Sequence, residues 1–280
     1  MSVDAAPTSK RVIEPPSGWF NLRLRELWEY RELTYFLIWR DIKVRYKQTL
    51  LGASWAVLKP LLAMVIFQVI FGRIAGLPTG GVPGPLFYYT GLLPWILFQD
   101  GVTKATASFV SNRSLVTKVY FPRLAMPLAA VSSGLVDFAI SFVVLLGMML
   151  YFRYPLSPQI ITVPLFVLWA LATSLGVGLW LAALNALYRD VGYVTPFLLQ
   201  AWFFASPIVY SAAMVPEGTL QVLYGLNPMA GVIQGFRWAT LGQGQPPTDL
   251  ALVSLLVTLV LLSTGLIFFR RMERTIADVV

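Results

Sequence analysis

The sequence predicts an all-α integral membrane protein. It expects six transmembrane helices, an N-terminal amphipathic interface helix, and short re-entrant or gate helices before the last span. Three observations lead there. Hydrophobic residues make up 57% of the 280 residues and charged ones 12%, with a mean hydropathy of +0.70, whereas soluble domains are about a quarter charged. Six segments approach the ~20 mostly apolar residues needed to cross ~30 Å of hydrocarbon. Positive charge also divides unequally between alternate loops.

The six segments are 58–77, 86–110, 124–151, 160–187, 195–214 and 250–270. Hydrocarbon offers no partner to an open backbone, and these lengths exceed barrel strands, so each is expected to be helical. The second is interrupted by Asp100 and Lys104, which stand i,i+4 and can pair along one helix. Asp137 lies in the third. Buried carboxylates serve ion-coupled carriers as relays, but an Asp100–Lys104 pair would account for two of these three groups without such a role.

With the N-terminus in the cytoplasm, eighteen of the 21 Lys and Arg fall on the inner side. Only Arg73, Arg153 and Arg237 fall outside. The positive-inside rule therefore predicts cytoplasmic N- and C-termini, as an even span count requires. The net charge of +8 reads as a topology signal, and nucleic acid is not expected as a partner. The first 34 residues hold no apolar run long enough for a signal peptide.

Several chemistries are excluded. The chain has no cysteine and no histidine, which removes disulfides, thiolate and imidazole catalysis and nearly all zinc sites. No metal is expected. No G-x-x-x-x-G-K-[ST] motif is present, so the chain carries no P-loop ATPase site.

In chain order, residues 1–23 form a flexible tail and 24–57 a cytoplasmic amphipathic interface helix. Tyr35, Ile38, Trp39, Ile42 and Tyr46 recur at three- and four-residue steps on one face. Arg40, Lys43 and Lys47 run beside them, while Val44 and Arg45 break the pattern. The segment suits a helix lying at headgroup depth. It reads either as a topogenic anchor or as a surface that receives an anionic lipid headgroup through Arg40, Lys43, Arg45 and Lys47. Near a membrane surface each such cation is worth about 1 kcal/mol toward anionic lipid. Lys59-Pro60 then marks the turn into the bilayer, with the proline in the first helical turn. Gly72-x-x-x-Gly76 is read as turn-forming rather than dimerising.

Residues 58–270 form the transmembrane domain. In the loop after the second span, Leu115, Val116, Val119 and Tyr120 make an apolar ridge flanked by Arg113 and Lys118 and ended by Pro122. It is either a docking knob or an interfacial linker. Residues 206–242 are too apolar for an exposed loop and are cut by Pro207, Pro216, Gly218, Gly225 and Pro228. They read as re-entrant or interfacial helices buried by protein, serving as a lid or as simple packing. Aromatic residues reach 14%. Tyr35, Trp39, Phe67, Phe71, Tyr88, Trp202, Phe203 and Tyr210 are candidates to line a channel and stack on sugar faces; belt and core packing are the alternative. Residues 271–280 are expected as a cytoplasmic tail.

Five blocks carry a resemblance: RYKQTLLGASWAVLKPLLAM (45–64), TGLLPWILFQDGV (90–102), SLVTKVYFPRLAMPLAAV (114–131), ALNALYRDVGYVTPFLLQAWFFASPIVYS (183–211) and GLNPMAGVIQGFRWA (225–239). From about Leu33 onward the chain resembles the membrane-spanning permease subunit of bacterial ABC transporters that export polysaccharides, the family handling O-antigen, capsule and teichoic acid.

The resemblance implies a non-catalytic homodimer in the inner membrane, moving lipid-linked polysaccharide from cytoplasm to periplasm. Two copies of a separate ATP-binding-cassette ATPase would bind beneath it, and ATP and Mg would sit on that partner. Residues 108–122 would be the coupling helix, with Asn112, Arg113, Leu115, Lys118, Tyr120, Phe121 and Pro122 meeting the ATPase. Residues 206–238 would be the outer gate, and the first and fifth spans of both copies would line the path. Two alternatives are an ABC exporter of a drug or small lipid, and an integral membrane glycan-modifying enzyme. The enzyme would need an acid and a base within reach of each other, and the spans offer only Asp100 and Asp137.

Overall fold

The computed structural model describes residues 24–47, 52, 54–118, 121–211, 224–242 and 249–279. Every regular element among them is helical. Four helical segments are long and apolar enough to cross a membrane: Ser54–Ile74, Ala125–Tyr151, Pro158–Leu187 and Leu250–Glu273. The expected tail at 1–23 lies outside the described residues.

The interface segment is two helices, α1 (Leu24–Glu29) and α2 (Arg31–Lys47). Its described part closes at Lys47, and α3 (Ser54–Phe67) begins at Ser54, inside the stretch to 57 expected as interface helix. Pro60 is therefore not in a first turn. It lies inside α3 and is buried, where its missing N–H leaves the carbonyl four residues earlier without its helical donor. That carbonyl belongs to Ala56, and it accepts from Ser141 Oγ at 2.7 Å. A π-helical turn, Gln68–Ile74, prolongs α3. Gly76 then leaves the helix at φ +64°, the turn-forming role expected of it.

Next come α4 (Gly84–Ser111), α5 (Arg113–Lys118), α6 (Ala125–Ser132) and α7 (Gly134–Tyr151). A 3-10 turn (Pro158–Thr162) leads into α8 (Val163–Leu187). The rest is α9 (Asp190–Phe204), α10 (Pro228–Leu241) and α11 (Asp249–Val279). The fifth expected segment thus ends as helix at Phe204, ten residues short of 214. The last helix runs on through the stretch expected as a tail.

The centre of the bundle is α4. It touches α3, α6, α7, α8, α9 and α10, and Leu86, Tyr88, Tyr89, Phe98, Val102, Ala105 and Phe109 on it are fully buried. A helix covered by protein over most of its surface needs little lipid-compatible face, and Asp100 and Lys104 line a cleft between helices. That is why it holds Asp100 and Lys104 and still stands at the core.

Helices α8 and α11 make the most extensive contact. They approach through small residues, as helices do where lipid competes for apolar surface. A Cβ on Gly176 would stand 2.8 Å from Leu262 N, and one on Gly265 2.6 Å from Gly176 O. Trp180 stacks on Phe268 at 4.1 Å, and Trp169 Nε1 donates to Thr258 Oγ1 at 2.8 Å.

A second, smaller core lies beneath α2. Leu37 joins Phe109, Phe121, Ala125, Met126, Ala129 and Phe269 there. Thr34 and Leu37 dock α2 on the bundle, whereas Tyr35 and Trp39 are 68% and 53% exposed and point away from it. The small residues of α6 accept Leu37, so the docking stripe is set by that surface and not by the aromatic periodicity.

Candidate functional site

Three features concentrate the polar chemistry of the bundle. The first is a cleft of about 420 Å³ between the end of α2 and helices α3, α4 and α7. A second cleft of about 480 Å³, between α2, α4 and α6, meets it at Arg45 and Lys104. Arg45, in the last turn of α2, pairs with Asp137 on α7. The Tyr46 hydroxyl donates to the same carboxylate. Burial holds the Tyr46 phenol above its ordinary range, with Arg45 pulling it the other way, so it remains a donor at neutral pH. Lys59 on α3 reaches Asp100 on α4 at 2.8 Å.

This corrects the expected pairing of Asp100 with Lys104. Both face the cleft, but Asp100 bonds across to α3, and Lys104 Nζ instead donates to Ser133 Oγ at 3.4 Å. In the second cleft Arg40 pairs with its neighbour Asp41 at 2.8 Å. Of the four cations expected to meet a headgroup, Arg40 and Arg45 line the clefts, while Lys43 and Lys47 lie on the exposed side of α2.

The second feature is the tip that follows α4. Residues 108–111 continue α4, and Asn112 closes it by donating from Nδ2 to Ser108 O at 2.8 Å. Within the stretch 108–122 expected to couple, the described helix beyond Asn112 is α5, six residues long. Arg113 and Lys118 lie on its exposed side, Leu115 is half-buried, and Phe121 and Pro122 tuck beneath it. Tyr120 lies outside the described residues.

The third feature is at the other end of α4, about 36 Å away by helical rise. Arg237 on α10 is only 7% exposed and has no carboxylate beside it among the described residues. Its guanidinium donates to Pro207 O and Ile208 O, each at 2.6 Å, and to Phe87 O at 3.2 Å. It lies 3.8 Å over the Phe87 ring, a cation–π contact. Gly91 makes the room, since a Cβ there would stand 2.6 Å from Arg237 Nη2.

Beside it, Asn227 joins α9 to α10. Its Oδ1 accepts from Trp202 Nε1 at 2.9 Å and from Met229 N at 3.0 Å. Its Nδ2 donates to Ala205 O at 3.1 Å and Ser206 Oγ at 3.0 Å. The chain that leaves α9 at Ser206-Pro207 is thus held by side chains in place of helical bonds.

The candidate lining aromatics separate. Phe67 contacts Phe71, Tyr88 and Phe203, and Trp202 contacts Phe98. Tyr88 and Phe203 are enclosed in the chain's own core, Phe67, Phe71 and Trp202 are half-buried around it, and Tyr210 meets Tyr224. Tyr35 and Trp39 stand apart on α2. Sequence reasoning missed Lys59, Asn227 and Arg237. The last two carried one signal, a polar or charged group inside an otherwise apolar run.

A family model described as ABC-2 type transporter matches residues 32–241. The chain belongs to the ABC-2 type transporter family. The match spans α2 to α10, so both clefts, α5 and the Arg237 cage fall within it. Among the relatives of this ABC-2 chain is the O-antigen export system permease protein RfbA of Myxococcus xanthus. It is 31% identical over 255 residues, 89% of this chain and 96% of the relative. An O-antigen export system permease protein RfbA of Klebsiella pneumoniae is 30% identical over 200 residues, 71% of this chain and 76% of the relative. The polysialic acid transport protein KpsM of Escherichia coli is 26% identical over 250 residues, 85% of this chain and 92% of the relative. An ABC-2 chain with four such apolar helices is a multi-pass membrane protein.

Proposed function

We propose that this chain is the non-catalytic, channel-forming subunit of an ATP-driven exporter that moves lipid-linked polysaccharide out of the cytoplasm. The observation that carries the reading is the family match from 32 to 241, joined by relatives named for O-antigen export and polysialic acid transport. The chain crosses the inner membrane six times, with both termini cytoplasmic. Helix α4 rises about 42 Å over its 28 residues. It and α9 are the two spans that apolarity alone does not mark: α4 because protein covers it, and α9 because its helix is short and is extended by the pinned stretch 205–211.

A second copy of the chain completes the path. Only Thr195, Leu199 and Phe203 on α9 are buried, while Tyr193, Phe197, Leu198 and Phe204 are exposed, a surface suited to a partner protomer. Arg113 and Lys118 on α5 face a separate ATPase, which holds ATP and Mg. The interface helix, with Arg40, Lys43, Arg45 and Lys47, receives the anionic headgroup, and the stretch 206–238 forms the outer gate.

The test is to purify the chain with and without its cognate ATPase. Stable complex formation, ATPase activity only with the partner, and loss of surface polysaccharide on deletion are expected. Lys118→Glu should weaken ATPase coupling while the chain stays folded. A chain that forms no complex, or a deletion that leaves surface polysaccharide intact, would refute the reading.

A further inference from the structure

The cations of the first cleft outnumber its carboxylates. Arg45, Lys59 and Lys104 line it against Asp100 and Asp137. Arg45 has Asp137 and Lys59 has Asp100. Among the described residues Lys104 is left with a hydroxyl at 3.4 Å, although an ammonium carries three donors. Ser133 Oγ is itself committed as a donor to Ala130 O at 2.8 Å, so it receives Lys104 and supplies no charge. A half-buried cation without an ion partner is unfavourable unless an anion joins it. Lys104 also stands where the two clefts meet, within reach of a ligand in either. The walls around it include Trp55, Leu97 and Phe138, apolar surface on which an acyl or prenyl chain can lie.

We infer that Lys104, Arg45 and Lys59 form a binding site for a diphosphate-class anion at this junction, and that Asp137 is the resident carboxylate which the anion displaces from Arg45. A diphosphate offers more charge and more acceptor oxygens than one carboxylate, and a guanidinium binds it through two parallel bonds. Arg45 therefore stays neutralised throughout the exchange. Tyr46 and Arg45 occupy the last turn of α2, and both are fastened to α7 through Asp137. The exchange releases that end of α2 from α7, so occupancy of the cleft is communicated to the interface helix. Taking the anion as the headgroup of a lipid-linked glycan rests on the exporter reading; the anion site itself does not.

The experiment titrates the full chain in zwitterionic nanodiscs with inorganic pyrophosphate, a polyprenyl diphosphate and the matching polyprenol, followed by tryptophan fluorescence, with Trp55 in the cleft wall. Lys104→Gln should weaken pyrophosphate binding about fivefold to tenfold, and Lys104→Arg should restore it. Asp137→Asn should tighten it about fivefold. Melting curves establish that each variant is folded. If the wild type binds neither pyrophosphate nor the polyprenyl diphosphate, or if both variants bind like the wild type, the site is overturned. Weaker binding by Asp137→Asn overturns the exchange. Polyprenyl diphosphate binding insensitive to every substitution removes this site and leaves the exporter reading standing. Lys104-dependent pyrophosphate binding with no gain from the prenyl chain keeps the site and removes the lipid-linked substrate.

Discussion

Ser141 on α7 donates to the carbonyl of Ala56 on α3 at 2.7 Å, the carbonyl that Pro60 leaves without its helical donor. A break in one helix is thereby repaired by a hydroxyl from another, at the wall of the first cleft. Ser141→Ala should lower the unfolding free energy by about 1 kcal/mol, measured by denaturant titration in detergent. Pro60→Ala restores the intrahelical donor, so Ser141→Ala made in that background should have a much smaller effect. Equal losses in both backgrounds would show that the two residues are not coupled.

Arg237 ties three carbonyls from α4 and from the end of α9. Arg237→Met leaves all three without that donor, and Arg237→Lys cannot span them. Each should destabilise by about 2–4 kcal/mol. Gly91→Ala disturbs the same cage, so its effect should be far smaller when combined with Arg237→Met than alone. Additive losses in the double variant would refute a shared site.

Asn227 caps α10 and holds α9 through both ends of its amide. Asn227→Asp keeps the two acceptor contacts and loses the two donors. The expected order of stability is wild type, then Asn227→Asp, then Asn227→Ala, with the last lower by about 2 kcal/mol. An alanine variant as stable as the wild type would remove Asn227 from its bridging role.

Lys59 and Asp100 form a cross-helix pair, yet the Lys59 side chain is 52% exposed. Water screens such a pair, so Lys59→Gln or Asp100→Asn should change stability by less than about 1 kcal/mol, and by less still at high salt. A loss above about 2 kcal/mol, unaffected by salt, would mean that the pair is desolvated.

The long helices were legible because lipid permits little else. The run in α8 is apolar nearly throughout, and its expected range falls close to the observed one, whereas α11 begins where expected and runs on past it. Helix α4 was harder to read, since a helix sheathed in protein can hold Asp100 and Lys104 where one facing lipid could not. The Asp100–Lys104 pairing failed for a related reason. Spacing of four places two side chains on one face, but not which neighbour arrives first, and α3 brings Lys59 to Asp100. Arg237 was counted as a loop charge because three backbone carbonyls distant in sequence leave no periodic trace.

By itself the sequence determined the medium, the helical class, the absence of a P-loop motif, and the family resemblance, for these follow from composition, run length and local motif. Tertiary structure alone decided that Arg45 meets Asp137, that Lys104 meets Ser133, that Ser141 mends the gap at Pro60, and that Arg237 is caged. Each of these joins residues tens of positions apart. Polar groups brought together away from water must find partners wherever packing places them, and a linear pattern carries no record of that placement.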